Sequence, residues 1–141
     1  MDLLEEESGL DMSDNRWPIC SRNPDLPAAR IGMGATLGDS MLAEGCGVEG
    51  SVQHSVIFQG VYVGPGAQVA DSLIMAGATV GAGTQVHRAV VAEDARIGEG
   101  CVIGAPGAAL AVVGPGAIVE AGAVIAPGES VEPNAVVAAK A

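Results

Sequence analysis

Aliphatic residues return along this chain with a period that belongs neither to a helix nor to an alternating strand. From Val63 a step of about six residues lands on Val69, Ile74, Val80, Val86, Val91, Ile97 and Ile103, and backwards on Ile57. The same walk meets Val48, Leu42, Leu37 and Ile31 upstream, and Val113, Val119, Ile125 and Val131 downstream. Positions that played no part in choosing the register obey it as well. Four residues after the aliphatic stand small side chains such as Ala67, Ala78, Thr84, Ala95 and Cys101. Three residues after it stands Gly at 34, 45, 60, 66, 77, 83, 100, 116, 122 and 128, with Asp94 and Asn134 at two further sites. These are the residue types that tolerate a positive φ, which a tight corner commonly demands. The pattern predicts very short strands joined by sharp corners.

The steps group in threes. Ile57, Ile74 and Val91 are 17 apart, as are Val63, Val80 and Ile97, and Val69, Val86 and Ile103. Each coil therefore has three sides, spaced six, six and five. The five-residue sides beginning at Leu37, Val69 and Val86 carry Ser40, Ser72 and Ala89 where the longer sides prefer Gly, so these shorter corners are expected to need no left-handed residue. Strands this short cannot bury a face alone, and an internal repeat of this kind is buried by stacking. An all-β prism of about six triangular coils is expected over residues 31–141, with the aliphatics pointing inward. The register is irregular between Val48 and Ile57, and the segment GAPGAALAV between Ile103 and Val113 exceeds a side by about four residues, which predicts a loop leaving the prism.

Composition fits a core of small branched side chains, with 21 Gly, 8 Pro and 2% aromatic residues. A formal charge of −11 with only six Lys and Arg argues against nucleic acid, because phosphate binding needs clustered cations. Cys20, Cys46 and Cys101 have no CxxC spacing and are read as reduced, cytoplasmic thiols. No apolar run reaches the roughly 18 residues of a spanning helix, so no membrane partner is expected.

Residues 1–30 have no hexad and read as an extended, proline-shaped interdomain linker. The motif [LIV]-[GAED]-x-x-[STAV]-x of residues 31–141 resembles the hexapeptide repeat, which implies a left-handed parallel β-helix. The ordered series MDLL, acidic stretch, WPI and NPDLPAARIG, followed by GVYVGPGA and DSLIM, resembles the linker and C-terminal β-helix of bacterial glucose-1-phosphate adenylyltransferases, the ADP-glucose pyrophosphorylases of glycogen synthesis. That resemblance implies a non-catalytic domain serving domain packing, oligomerisation and allosteric relay. The family's nucleotidyltransferase domain, with its Gly-rich loop, metal-binding aspartates and sugar-phosphate lysine, has no counterpart in these residues. The 141 residues are therefore expected to be inactive alone, and a truncated reading frame, a split gene or a cut fragment is expected. The implied partners are the missing catalytic domain, a homologous subunit or a second copy of the chain.

Neither a cofactor nor a metal ligand set is read from the sequence. His54 and His87 are expected to be surface histidines, and two histidines fall short of the three protein ligands of a catalytic zinc. The family's small anionic effectors bind near the domain junction, which makes Arg16, Trp17, Arg22, Arg30 and Arg96 the candidate effector or interdomain contacts. One effector element of plant-type members resembles IDKNARIG. In VVAEDARIG here, Ala92 and Glu93 replace its Asp and Lys, while Arg96 remains. Two rival readings stand beside this one: a hexapeptide acyltransferase, using a histidine base between subunits, and a non-catalytic interaction or regulatory subunit.

Overall fold

The computed structural model describes residues 25–139 together with Arg16. The first coil is β1 (Arg30–Ile31), β2 (Thr36–Gly38) and β3 (Met41–Leu42), the second β4 (Gly47–Val48), β5 (Ser51–Gln53) and β6 (Val56–Ile57), and the third β7 (Tyr62–Val63), β8 (Gln68–Ala70) and β9 (Leu73–Ile74). The fourth is β10 (Thr79–Val80), β11 (Gln85–His87) and β12 (Ala89–Val91), and the fifth β13 (Arg96–Ile97), β14 (Val102–Ile103) and β15 (Ala111–Val113). The sixth is β16 (Ile118–Val119), β17 (Val124–Ile125) and β18 (Ser130–Val131), and β19 (Val136–Val137) begins another.

Every third strand pairs in parallel. The first face is β1-β4-β7-β10-β13-β16-β19, the second runs from β2 to β17 and the third from β3 to β18. The described residues are thus an all-β, parallel solenoid of about six three-sided turns without a helix, as the left-handed β-helix resemblance implied. Parallel strands bond evenly to both neighbours, so Gly64 N–H donates to Val80 O and Gly81 N–H to Ile97 O, both at 2.9 Å. The inward aliphatics form one column per face. Val48, Val63, Val80 and Val119 line one, and Ile57, Ile74, Val91 and Val113 another, each 1% exposed or less. Ile31 and Leu37 also occupy inward positions but are 51% and 37% exposed. They belong to the first coil, and among the described residues nothing stacks upon it.

The irregular stretch after Val48 is a complete side. Val52 pairs in register with Leu37 on one side and Val69 on the other, and is fully buried. Its step from Val48 is only four residues, which is why a six-residue walk passes over it. The tight corner crowds Gly50, where an added Cβ would run into the carbonyl oxygens of Ala67 and Gly64. The expected loop is present: residues 104–110 leave the prism between β14 and β15, and the strands resume in register, Val91 beside Val113.

Corner geometry holds for the long sides and corrects the short ones. Asp94 and Asn134 adopt φ of 57° and 58°, and every glycine at the predicted corner position except Gly34 is also left-handed. The short sides were expected to avoid that conformation. Instead Asp39, His54, Asp71 and Arg88 have φ of 45°, 43°, 50° and 45°. The left-handed residue has moved one place earlier, because removing a residue from the side does not remove the need to reverse the chain. The residue that follows it points into the corner and forms a hydroxyl ladder. Ser55 Oγ donates to Gln53 O at 2.7 Å and accepts from Ser72 N–H at 3.2 Å, while Ser72 Oγ donates to Ala70 O at 2.7 Å and accepts from Ala89 N–H at 3.2 Å. Buried polar atoms are thereby satisfied with backbone partners.

Two substitutions test this architecture by thermal unfolding followed by circular dichroism. Val80→Asp places a carboxylate in the dry column and should cost more than about 4 kcal/mol; an unchanged melting temperature would refute the register. Ser72→Ala should cost about 1–3 kcal/mol, because it leaves the buried Ala89 N–H without an acceptor.

Candidate functional site

Parallel stacking places equivalent residues of successive coils above one another, so any site must be built from columns. Arg30 and Arg96 both stand exposed on the first face, in the outward column of β1 and β13. Three strands lie between them, so at about 4.8 Å per strand they are about 19 Å apart. They do not converge on one small anion. Arg16 is exposed, and Trp17 and Arg22 lie outside the described residues.

Arg30 borders a hollow of about 290 Å³ that Gly47 opens in the first face, with Glu49 and Tyr62 on its far side. The Tyr62 ring leans over Gly47, and its hydroxyl donates to Glu49 Oε2 at 2.8 Å. That hydrogen bond, more than burial, holds the phenol above its usual pKa. A carboxylate within the hollow opposes an anionic ligand.

A second hollow, of about 220 Å³, is lined by Leu110 of the loop, Leu73 and Val90 of the third face, Ala89 and Asp71. His54, expected as a surface histidine, is 38% exposed and joined to Asp71, Nδ1 to Oδ1, at 2.8 Å. The signal was present in the sequence as Asp39, His54 and Asp71, each preceding a serine. An oriented imidazole acts as a general base only with a nucleophile or substrate proton in reach. The adjacent Ser55 and Ser72 hydroxyls are buried and committed to backbone carbonyls. His87 is half-buried on β11, one place after the inward Val86.

The remaining nucleophiles are packing groups. Cys46 is 2% exposed and burial pushes its thiol pKa up, while Cys101 is fully buried with Sγ 3.1 Å from Glu120 O. Neither is poised as a thiolate. Among the described residues no group of three His, Cys, Asp or Glu is placed to hold a metal ion, and no helix is long and apolar enough to cross a membrane.

Residues 28–109 match the family model for the GlmU-like, C-terminal hexapeptide. This chain belongs to that family. Within it, the hexapeptide chain is 52% identical over 71 residues to the glucose-1-phosphate adenylyltransferase of Clostridium perfringens, a match covering 50% of the chain and 18% of the relative. It is 51% identical over 69 residues to that of Geobacillus stearothermophilus, covering 49% and 18%. The match thus spans less than a fifth of the length of these curated relatives. Among solved structures, the acetyltransferase domain of PglB from Neisseria gonorrhoeae, in complex with acetyl coenzyme A, is 28% identical with a TM-score of 0.55, covering 79% of the hexapeptide chain and 52% of that one. A perosamine N-acetyltransferase from Caulobacter crescentus, 24% identical with a TM-score of 0.60 and covering 79% and 50%, shares the fold.

The burial of both thiols has a direct consequence for the hexapeptide chain. Cys46 and Cys101 should resist alkylation by iodoacetamide in the native state and react in denaturant, as read by mass spectrometry of their peptides. Rapid native labelling of Cys101 would contradict the packing.

Proposed function

We propose that this chain is a non-catalytic C-terminal β-helix domain of a glucose-1-phosphate adenylyltransferase-like protein of glycogen synthesis, working in the cytoplasm. Its role is to pack against a catalytic nucleotidyltransferase domain, support subunit association and relay effector binding. Residues 1–30 serve as the link between domains, and Arg16, Trp17, Arg22, Arg30 and Arg96 are its candidate junction contacts. The observation that carries the reading is the 52% identity over 71 residues to a glucose-1-phosphate adenylyltransferase. The columns add support, because among the described residues they offer extended surfaces and no assembled nucleophile, base and oxyanion donors.

The acyltransferase reading draws on the PglB domain, whose structure contains acetyl coenzyme A. Fold similarity by itself does not transfer chemistry. A catalytic histidine at an intersubunit cleft would be needed, and the protruding loop, residues 104–110, contains no His, Ser or charged side chain.

The purified 141-residue chain should form no ADP-glucose or pyrophosphate from ATP and glucose 1-phosphate with magnesium, and turnover above the protein-free rate would overturn the reading. Acetyl coenzyme A should leave its melting temperature unchanged. A saturable rise would favour the acyltransferase instead.

A further inference from the structure

The two ends of the prism differ. At the far end Ile125 and Val131 are 1% and 6% exposed, whereas at the near end Ile31 and Leu37 are 51% and 37% exposed although both stand at inward positions. The aliphatic column therefore emerges into solvent at the first coil. Backbone groups emerge with it. Arg30 N–H donates to Cys46 O at 2.8 Å, Gly32 N–H to Val48 O at 2.7 Å, Met41 N–H to Ser55 O at 3.0 Å and Ala43 N–H to Ile57 O at 2.9 Å, all towards the second coil. Alternate residues of a parallel strand address opposite neighbours, so the N–H and C=O of Ile31 and Leu42 face the side on which no strand lies among the described residues. An open parallel edge above an open aliphatic core is a surface that solenoids have to cover.

A further coil cannot cover it. Seventeen residues before Ile31 and Leu42 stand Asp14 and Asp25, and continuing the register would drive two carboxylates into the dry column. The cover has to come from a segment outside the repeat, and one such segment enters beside the opening. Pro27 O accepts from Gly45 N–H at 2.6 Å and Leu26 lies against Gly45, so the arriving chain is pinned at the corner where the first coil begins. Just upstream stands the run Trp17, Pro18, Ile19, with the only tryptophan of the chain. The seven residues between Trp17 and Asp25 span up to about 25 Å, while a six-residue side is at most about 20 Å long. The indole can therefore reach any point on the open end.

Charge favours this segment over a second copy stacked end to end. Residues 1–30 carry seven acids against three arginines, and joining two copies through these ends would bring two such acidic segments together. Laid over its own coil, the same segment turns its acids to water and gives the polar outer layer that the cap of a solenoid requires.

We propose that residues 17–24 fold back over the open end of the first coil and seat the Trp17 indole on Ile31 and Leu37, capping the solenoid. This goes beyond the domain assignment above and holds whether or not a catalytic domain precedes these residues.

Trp17 is its own reporter in the full chain at micromolar concentration. Its native emission should be blue-shifted from that in guanidinium chloride, and its quenching by acrylamide at least about threefold weaker than in denaturant, as for a ring withdrawn from water. Trp17→Ala should lower the melting temperature by about 3–8 °C. Ile31→Glu and Leu37→Glu should each return the emission towards its denatured position while circular dichroism stays native. If the glutamate variants unfold, the milder Ile31→Ala is combined with Trp17→Ala, and the double variant should lose clearly less melting temperature than the two single losses together. A native emission like that in denaturant, a folded glutamate variant with wild-type emission, or strict additivity in the double variant overturns the cap. A blue shift that fades on dilution means that a second copy supplies the cover, which overturns the folded-back arrangement. None of these readouts involves nucleotide or glucose 1-phosphate, so the functional reading is judged separately.

Discussion

Stacking of identical coils in register is the constraint on which everything else in this molecule rests. Each short strand has too few residues to bury a face or complete its own hydrogen bonds, so it depends on the strands above and below for both. The requirement is strict because parallel rungs tolerate no slip: moving one coil by a residue would turn Val63 or Ile74 out into water and bring Tyr62 or Leu73 inward. That is why the aliphatic at each inward position is so regular while its outward neighbours vary freely. It also explains why the first coil, stacked on one side only among the described residues, leaves Ile31 and Leu37 half in solvent.

The corners inherit the same constraint. Since every coil must turn where its neighbours turn, a conformation adopted once is repeated at the same edge. The left-handed Asp39, His54, Asp71 and Arg88 are one such edge, and the serine ladder beneath it is its buried lining. Residues 15 to 17 apart in sequence become neighbours, and a hydroxyl donating to its own coil can accept from the next. A polar group in an aliphatic prism is tolerated here because both of its hydrogen-bonding roles are filled.

Stacking also determines what kind of function the molecule can carry. It converts single positions into columns, and columns make extended surfaces more readily than enclosed pockets. The hollows beside Arg30 and beside Leu110 are shallow features at the margins of such surfaces. A related fold is found in the acetyltransferase domain of PglB, yet a shared fold does not by itself carry a shared chemistry. In this chain the inserted loop, residues 104–110, is small and uncharged.

Much of this was legible in the sequence because inward positions repeat with a spacing that solvent-facing residues have no reason to share. The three-sided coil, the buried column and the protruding loop all follow from where Ile, Val, Leu and Gly recur. Val52 escaped because its side is four residues long, and a periodic reading cannot see a step that only Gly50 makes sterically feasible. The left-handed turn of the short sides escaped because Asp, His and Arg announce it far less clearly than Gly. The His54 and Asp71 pair and the separation of Arg30 from Arg96 were decided by the tertiary structure alone. They depend on which residues share a column, and that follows from the exact length of every intervening side rather than from the local identity of any residue.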